Sequence, residues 1–257
     1  MDLELSNKLF IVGGATSGFG KAITELLLSE GAHVIGVARN EMKLNNLKQQ
    51  FAGMFQYVAA DLTEEKTINR IKALIAERQV HGILINAGGP PAKTAMETTL
   101  SDWDQSYQLL LRWKVGFIQA FLPSMLKVNY GRILFIESST VKQPLENLVL
   151  SNSLRLAAVG FVKTLSQEIA RSGITINVMA PGSHDTPAIE RIYKKKSEQT
   201  GITEQEIRNI AIQQIPTGYL GSAKDFATLA LWLLSPMSRY VTGQVYAVDG
   251  GAIKGTF

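Results

Sequence analysis

The sequence predicts an α/β protein, a doubly wound parallel sheet in one domain over residues 1–257, and three observations carry that prediction. Seven short apolar runs recur along the chain with helical windows between them. The early runs are rich in Val and Ile and hardly alternate in polarity, as strands covered on both faces do. The first run ends in a glycine-rich turn that opens at once into a helix, the usual start of a right-handed crossover.

In chain order, "KLFIVGG" (8–14) is the first strand, and "GKAITELLLSEG", stopped by Gly31, is the first helix. "AHVIGVA" (32–38), "MFQYVAA" (54–60) and "VHGILINA" (80–87) are strands two to four. A helix through Trp103 to Met125 leads to the fifth, "GRILFIES" (131–138). A long amphipathic helix, Asn147 to Ala170, leads to the sixth, "ITINVMAP" (174–181), and "QVYAVDG" (244–250) is the seventh. Only 183–216 departs from the alternation; its "IYKKKSEQT" and "TEQEIRNIAIQQI" look helical. A segment of this size beside the carboxyl ends of strands is expected to be a substrate lid.

Composition narrows the function. A chain of 257 residues that is 46 % hydrophobic and 19 % charged can bury a sizeable core. It has no cysteine, so disulfides and thiolate chemistry are excluded, and His33, His81 and His184 lack metal-ligand spacing. No metal is expected. The net charge of +4 is interspersed with acids, which argues against nucleic acid. No cleavable signal and no membrane span are visible, so a cytoplasmic protein acting on a small molecule is expected. The densest basic run, "RIYKKKSE" (191–198), reads as a solvated helix face or as a seat for an anionic substrate tail.

The turn after the first strand, "GGATSGFG", places Gly14, Gly18 and Gly20 as G-x-x-x-G-x-G, with Thr16, Ser17 and Phe19 completing the loop. Glycines there let the backbone approach a pyrophosphate, and the next helix aims N–H groups and its positive dipole end at it. Tight turns also use glycines, but the placement between strand and helix points to a dinucleotide. In "VARNEMKL", Ala38 and Arg39 stand where an acid would hold the ribose 2′-hydroxyl of NAD. A guanidinium with no carboxylate there to repel a 2′-phosphate favours NADP(H) over NAD(H); the alternative is a surface arginine capping the loop. Asp61 and Leu62 suit the adenine edge, and Asn86, Ala87 and Gly88 suit a ribose close to backbone, though ordinary turn chemistry would explain either group.

With these motifs the chain resembles the short-chain dehydrogenase/reductase family, in its ketoacyl-carrier-protein-reductase-like branch, over residues 7–251. The resemblance is carried by "GGATSGFG", "DL" at Asp61, "NAG" at Asn86, "SDWD" at Ser101, "APGSHDTP" at Ala180 and "YVTGQVYAVDGG" at Tyr240. It implies a Rossmann-like fold, with Pro181, Gly182 and Thr186 around the nicotinamide and its carboxamide. It also implies that helices 103–125 and 150–170 pack against a second subunit, giving a homodimer or homotetramer.

Members of that family usually reduce a carbonyl with an Asn, Ser, Tyr and Lys tetrad, and here the pattern fails. The serine falls at Ser138; thirteen residues on, the tyrosine position holds Ser151, and four further the lysine position holds Arg155. The asparagine position, seven residues after Trp103, holds Leu110. A tyrosine hydroxyl, with a pKa near about 10, can be tuned to exchange a proton, but serine has no comparable pKa and a shorter reach. Arg155 keeps a charge and donors for ribose hydroxyls, yet with a pKa above about 12 it cannot relay a proton. Lys142, His184 and Tyr107 are candidate substitute acids, each with a solvated-loop or packing role as the alternative. Glu137, beside Ser138, is read as structural because alternation points it away from the site.

Two functions therefore stand side by side. One is an NADP-dependent oxidoreductase on a carbonyl or alcohol, with Ser138 polarising the carbonyl and Ser151, Arg155 and Lys142 completing an atypical site. The other is a redox-inactive NADP(H)-binding sensor or structural partner of an active paralogue. Dehydration or isomerisation in the same cleft is a third option.

Overall fold

All seven apolar runs form strands of one parallel sheet in the computed structural model, which describes residues 2–86 and 88–256. The strands are β1 (Leu9–Gly13), β2 (His33–Ala38), β3 (Phe55–Ala59), β4 (Gly82–Asn86), β5 (Gly131–Ile136) and β6 (Ile174–Pro181). Two residues at β7 (His184–Asp185) pair in parallel with β8 (Gly221–Ser222) outside the sheet, and β9 (Val245–Val248) is its last strand. The order β3-β2-β1-β4-β5-β6-β9 runs outward in both directions from β1 and β4. The chain reverses its winding there, which opens a crevice above the carboxyl ends of those two strands.

Nine α-helices accompany them among the described residues: α1 (Gly18–Ser29), α2 (Glu41–Gln50), α3 (Glu65–Ile75), α4 (Leu100–Tyr107), α5 (Trp113–Val128), α6 (Val149–Ile169), α7 (Pro187–Thr200), α8 (Glu204–Gln213) and α9 (Ala223–Leu234). Successive strand residues face opposite layers. Phe10, Val12, Val34 and Leu134 pack with α1, α2 and α9, whereas Ile11, Ile35, Ile83 and Phe135 pack with α3, α5 and α6. Burial on both faces explains why these strands read as unbroken apolar runs.

Two features refine the sequence reading. The helix expected through 103–125 is split: a π-helical turn, Gln108–Arg112, joins α4 to α5, and Leu110 is fully buried in it. Such turns widen a helix locally and are frequent near functional sites. The segment expected as a lid forms α7 and α8, the latter started by a Thr203–Glu206 capping box. The β7–β8 pair brings the chain on either side of these helices together.

Candidate active site

The glycine loop is shaped by close approach. Gly14 has φ +67°, and a Cβ on it would lie 2.6 Å from the Asn86 side-chain nitrogen. A Cβ on Gly20 would strike the Gly14 carbonyl, so α1 can rest on the end of β1 only with glycine there. Asn86 Nδ2 donates to the Gly13 carbonyl at 3.4 Å, tying the end of β4 to the loop. Ser17 caps α1 without using its hydroxyl, and the first turn of α1 carries no acid. This cradle of open backbone at a helix N-terminus fits a pyrophosphate. Across it, the Thr186 side chain comes within 3.9 Å of where a Gly18 Cβ would be, and Pro181 and Gly182 close β6 beside β9. Ala87 lies outside the described residues.

At the far edge, Arg39 follows β2 and its side chain is 83 % exposed. Its Nη1 lies 4.0 Å from Asp61 Oδ2, because β2 and β3 end side by side. The expectation that no carboxylate stands against Arg39 is therefore corrected: an acid is present, contributed by the neighbouring strand. Burial pushes the Asp61 carboxyl up, but the Thr63 N–H and hydroxyl bonds and the Arg39 charge outweigh it and hold the pKa below the ordinary value. The contact to Arg39 is long and wet, so it leaves the guanidinium able to turn to a phosphate. Leu62 packs against Gly13 at the loop.

The residues expected to be catalytic lie between β5, α5 and α6. Ser138 follows β5 and its Oγ accepts the Thr140 N–H at 3.3 Å, which leaves the hydroxyl hydrogen for another acceptor. Ser151 and Arg155, one turn apart on α6, are both buried. Arg155 Nε donates to Ser151 Oγ at 3.1 Å, Nη1 donates to the Glu137 carboxylate at 3.0 Å and to the Glu137 carbonyl at 3.2 Å, and Nη2 donates to the Gly88 carbonyl at 3.3 Å. Glu137 takes the Lys114 ammonium on its other oxygen. Glu137, read as structural, is a buried tie: its carboxylate bridges Lys114 of α5 and Arg155 of α6.

Among the described residues, four of the five Arg155 N–H groups are committed to protein acceptors, so the supply of donors for ribose hydroxyls is one. Burial pulls the Lys114 ammonium below the usual lysine range, against the opposing pull of Glu137.

The substitute acids fare differently. Lys142 is half-buried at the end of the short turn after Ser138. His184 is 4 % exposed and packed edge-on against Phe19 and Phe226, with Nδ1 facing the Gly182 carbonyl; burial pulls its pKa down. It is a packing residue of the cradle wall. Tyr107 lies in an outer groove with Leu62, Glu65 and Trp113. The lid residues Lys194, Lys195 and Lys196 are solvent-exposed, which favours the solvated-face reading of that run. Sequence reasoning missed Tyr193 on α7, whose hydroxyl is buried without a partner among the described residues, near the Asp185–Arg208 pair; burial pushes its pKa up. Among the described residues no cluster could hold a metal ion, and no helix is long and apolar enough to cross a membrane.

With this geometry the relatives can be compared. A family model described as Enoyl-(Acyl carrier protein) reductase matches residues 14–252. Dehydrogenase/reductase SDR family member 6 of Xenopus laevis is 32 % identical over 252 residues, covering 96 % of this chain and 98 % of the relative. The chain belongs to the short-chain dehydrogenase/reductase family. The 3-oxoacyl-[acyl-carrier-protein] reductase FabG of Aquifex aeolicus is 30 % identical, covering 98 % of this chain and 99 % of that protein. Among solved structures, L-sorbose reductase from Gluconobacter frateurii, complexed with NADPH and L-sorbose, superposes with a TM-score of 0.92 at 27 % identity, covering 99 % of this chain and 100 % of that one.

Proposed function

We propose that this member of the family is an NADP(H)-dependent oxidoreductase of a carbonyl or alcohol substrate, working without a Tyr-x-x-x-Lys pair. The observation that carries the reading is the cradle: the glycine loop before α1, Arg39 after β2 and the Gly18–Thr186 approach all follow the carboxyl ends of strands, as Ser138 does after β5. NADPH in the sorbose reductase complex and the reductase activity named for the relatives support it.

Gly14, Thr16, Ser17, Phe19 and Gly20 would hold the pyrophosphate, Arg39 the 2′-phosphate, Asp61 and Leu62 the adenine, and Asn86, Ala87, Gly88 and Thr186 the nicotinamide riboside end. Bound there, the nicotinamide supplies or accepts the hydride. Ser138 and Ser151 each have the hydroxyl oxygen engaged by an N–H, so each can donate its hydrogen to a substrate oxygen. Arg155 holds a fixed positive charge beside them but cannot pass a proton. The proton therefore exchanges with solvent, with Lys142 as the nearest titratable side chain on that loop.

Exposed apolar side chains on the outer helices, Leu100 (84 % exposed) and Leu156 (52 %), support a homodimer or homotetramer. A redox-inactive binding protein is favoured by one observation, the locking of Arg155 into the protein rather than toward a relay.

Titration with NADPH and NADH, followed by nicotinamide fluorescence and thermal shift, tests the cradle; NADPH-selective binding is expected. A carbonyl panel then divides the readings. Turnover that disappears in Ser138→Ala supports the enzyme, and binding without turnover supports the sensor.

A further inference from the structure

The amino ends of the strands, opposite the crevice, carry a cavity of about 280 Å³ lined by Asn7, Leu9, His33, Arg78, Gln79 and His81. Strand register explains the set. Leu9 stands beside His33 on β2, and because Phe10 stands beside Gly82 on β4, Leu9 also neighbours His81. Neighbours in register on a parallel sheet share a face, so the two imidazoles flank Leu9 on the face covered by α3, α5 and α6. At roughly 3.3 Å per residue, β1 keeps this cavity about 13 Å from the glycine loop at its other end.

Arg78 is fixed in this wall before anything binds. Its Nε donates to the Ile75 carbonyl at 3.3 Å, and its Nη2 donates to the Leu74 carbonyl at 2.6 Å and to Gln56 Oε1 at 2.5 Å. An exposed arginine ordinarily gives up its rotamer freedom on binding, and here that loss belongs to folding instead. Leu74 and Ile75 end α3, so the guanidinium also offsets the negative end of that helix, which would otherwise repel an anion. The turn that brings Arg78 back holds Ala76 at φ +50°, a left-handed conformation that costs a non-glycine residue energy.

Among the described residues, Arg78 Nη1, the Asn7 and Gln79 amides and the His33 imidazole have no side-chain hydrogen bond to protein, and no Asp or Glu lines the cavity. His81 closes the wall: the Leu9 N–H donates to its Nδ1 at 3.0 Å, and Tyr130 stands edge-on at 5.8 Å. Burial, then the Lys8 charge, pull the His81 pKa below its ordinary value against the Gln79 carbonyl, so this ring is neutral at pH 7. A carboxylate presents two oxygens in one plane, whereas a phosphate presents three or more in a tetrahedral spread. Donors arriving from the starts of β1 and β2 and from the turn after α3 surround their ligand as the second requires.

We propose that this cavity binds the phosphate group of a small molecule, with Arg78 as the principal contact and Asn7, His33 and Gln79 completing it. Its volume is close to the roughly 300 Å³ lower end of ligand pockets, which suits a phosphate carrying few carbons. The occupant is not the reacting substrate, because the cradle and Ser138 follow the opposite ends of the strands. The site therefore stands whether or not the oxidoreductase reading does.

Two of the chain's three histidines line the cavity, which makes them reporters of it. The full chain, labelled with carbon-13 at histidine Cε1, is titrated at constant pH and ionic strength with inorganic phosphate, glycerol 3-phosphate and acetate while its NMR signals are followed. The His33 and His81 signals should move saturably, with half-saturation below about 1 mM for a phosphate and at least about tenfold higher for acetate. The His184 signal, from the wall of the glycine cradle, should keep its position. Tighter binding of glycerol 3-phosphate makes a monoester the ligand, and tighter or equal binding of inorganic phosphate makes it the free ion; both uphold the site. Arg78→Gln should weaken binding at least about tenfold. Asn7→Gly keeps the positive-φ turn, removes only an amide and should weaken binding about threefold, a second test should Arg78→Gln not fold. The site is overturned if neither phosphate moves the two signals, if acetate moves them as readily, or if His184 alone responds. It is equally overturned if folded Arg78→Gln, or Asn7→Gly in its place, binds phosphate as the parent does.

Discussion

The glycine-loop side of the crevice and the α5–β5–α6 side have been treated differently by the same fold. The loop side offers backbone: positive-φ Gly14 and Gly18, open N–H groups and a helix N-terminus, with Gly14 and Gly20 held to glycine by neighbours a side chain would strike. The other side is lined by side chains, Ser151, Arg155 and a buried acid bridge. Binding built from backbone survives almost any surrounding change, whereas proton transfer depends on the pKa of particular groups. A fold can therefore keep its cofactor cradle while its chemistry is rewritten.

Experiments can break this contrast in order of expected effect. Glu137→Gln leaves two buried cations without a carboxylate and should lower stability by about 3–5 kcal/mol in urea unfolding; a loss below about 1 kcal/mol would show that the trio is not ion-paired. Gly14→Ala forces a side chain into a left-handed conformation against the Asn86 amide. It should weaken NADPH binding about tenfold, near 1.4 kcal/mol, read by fluorescence titration. If affinity holds, the loop does not grip through its backbone. Arg39→Gln should weaken NADPH several-fold and leave NADH unchanged, and equal losses for both would remove Arg39 from the 2′-phosphate.

The smallest effect concerns pH. His184 has a folded pKa below its unfolded value of about 6.5, so the unfolded chain binds more protons in acid. Stability is full above that value and declines as pH falls through it. His184→Leu should narrow the drop in unfolding temperature between pH 7.5 and 5.5, with His81, shifted the same way, retaining part of it. An unchanged drop would place the sensitivity elsewhere.

The sheet was legible because a strand buried on both faces has no polar positions to hide its run, and the cradle because glycines cluster where geometry forces them. The split at Leu110 was not: a π turn adds a residue without altering composition. Nor was the bridge, whose members sit far apart in sequence. Its signals were present all the same, an acid ending the apolar run "RILFIES" and a lysine on the Phe117–Phe121 stripe, each an ionisable group in a place meant for carbon. Asp61 was misjudged against Arg39 because strand neighbours, unlike sequence neighbours, are known only once the sheet order is.

The pairing of β7 with β8 sets where the chain enters and leaves the α7–α8 segment: His184–Asp185 lies beside Gly221–Ser222. Everything between is a cassette whose two ends coincide. Such a piece can be lengthened, shortened or exchanged for a relative's without disturbing the sheet, because the closure cost grows only slowly with the length of chain between fixed ends. One contiguous stretch, His184 to Ser222, can thus be exchanged as a unit while the sheet and the buried charges stay as they are.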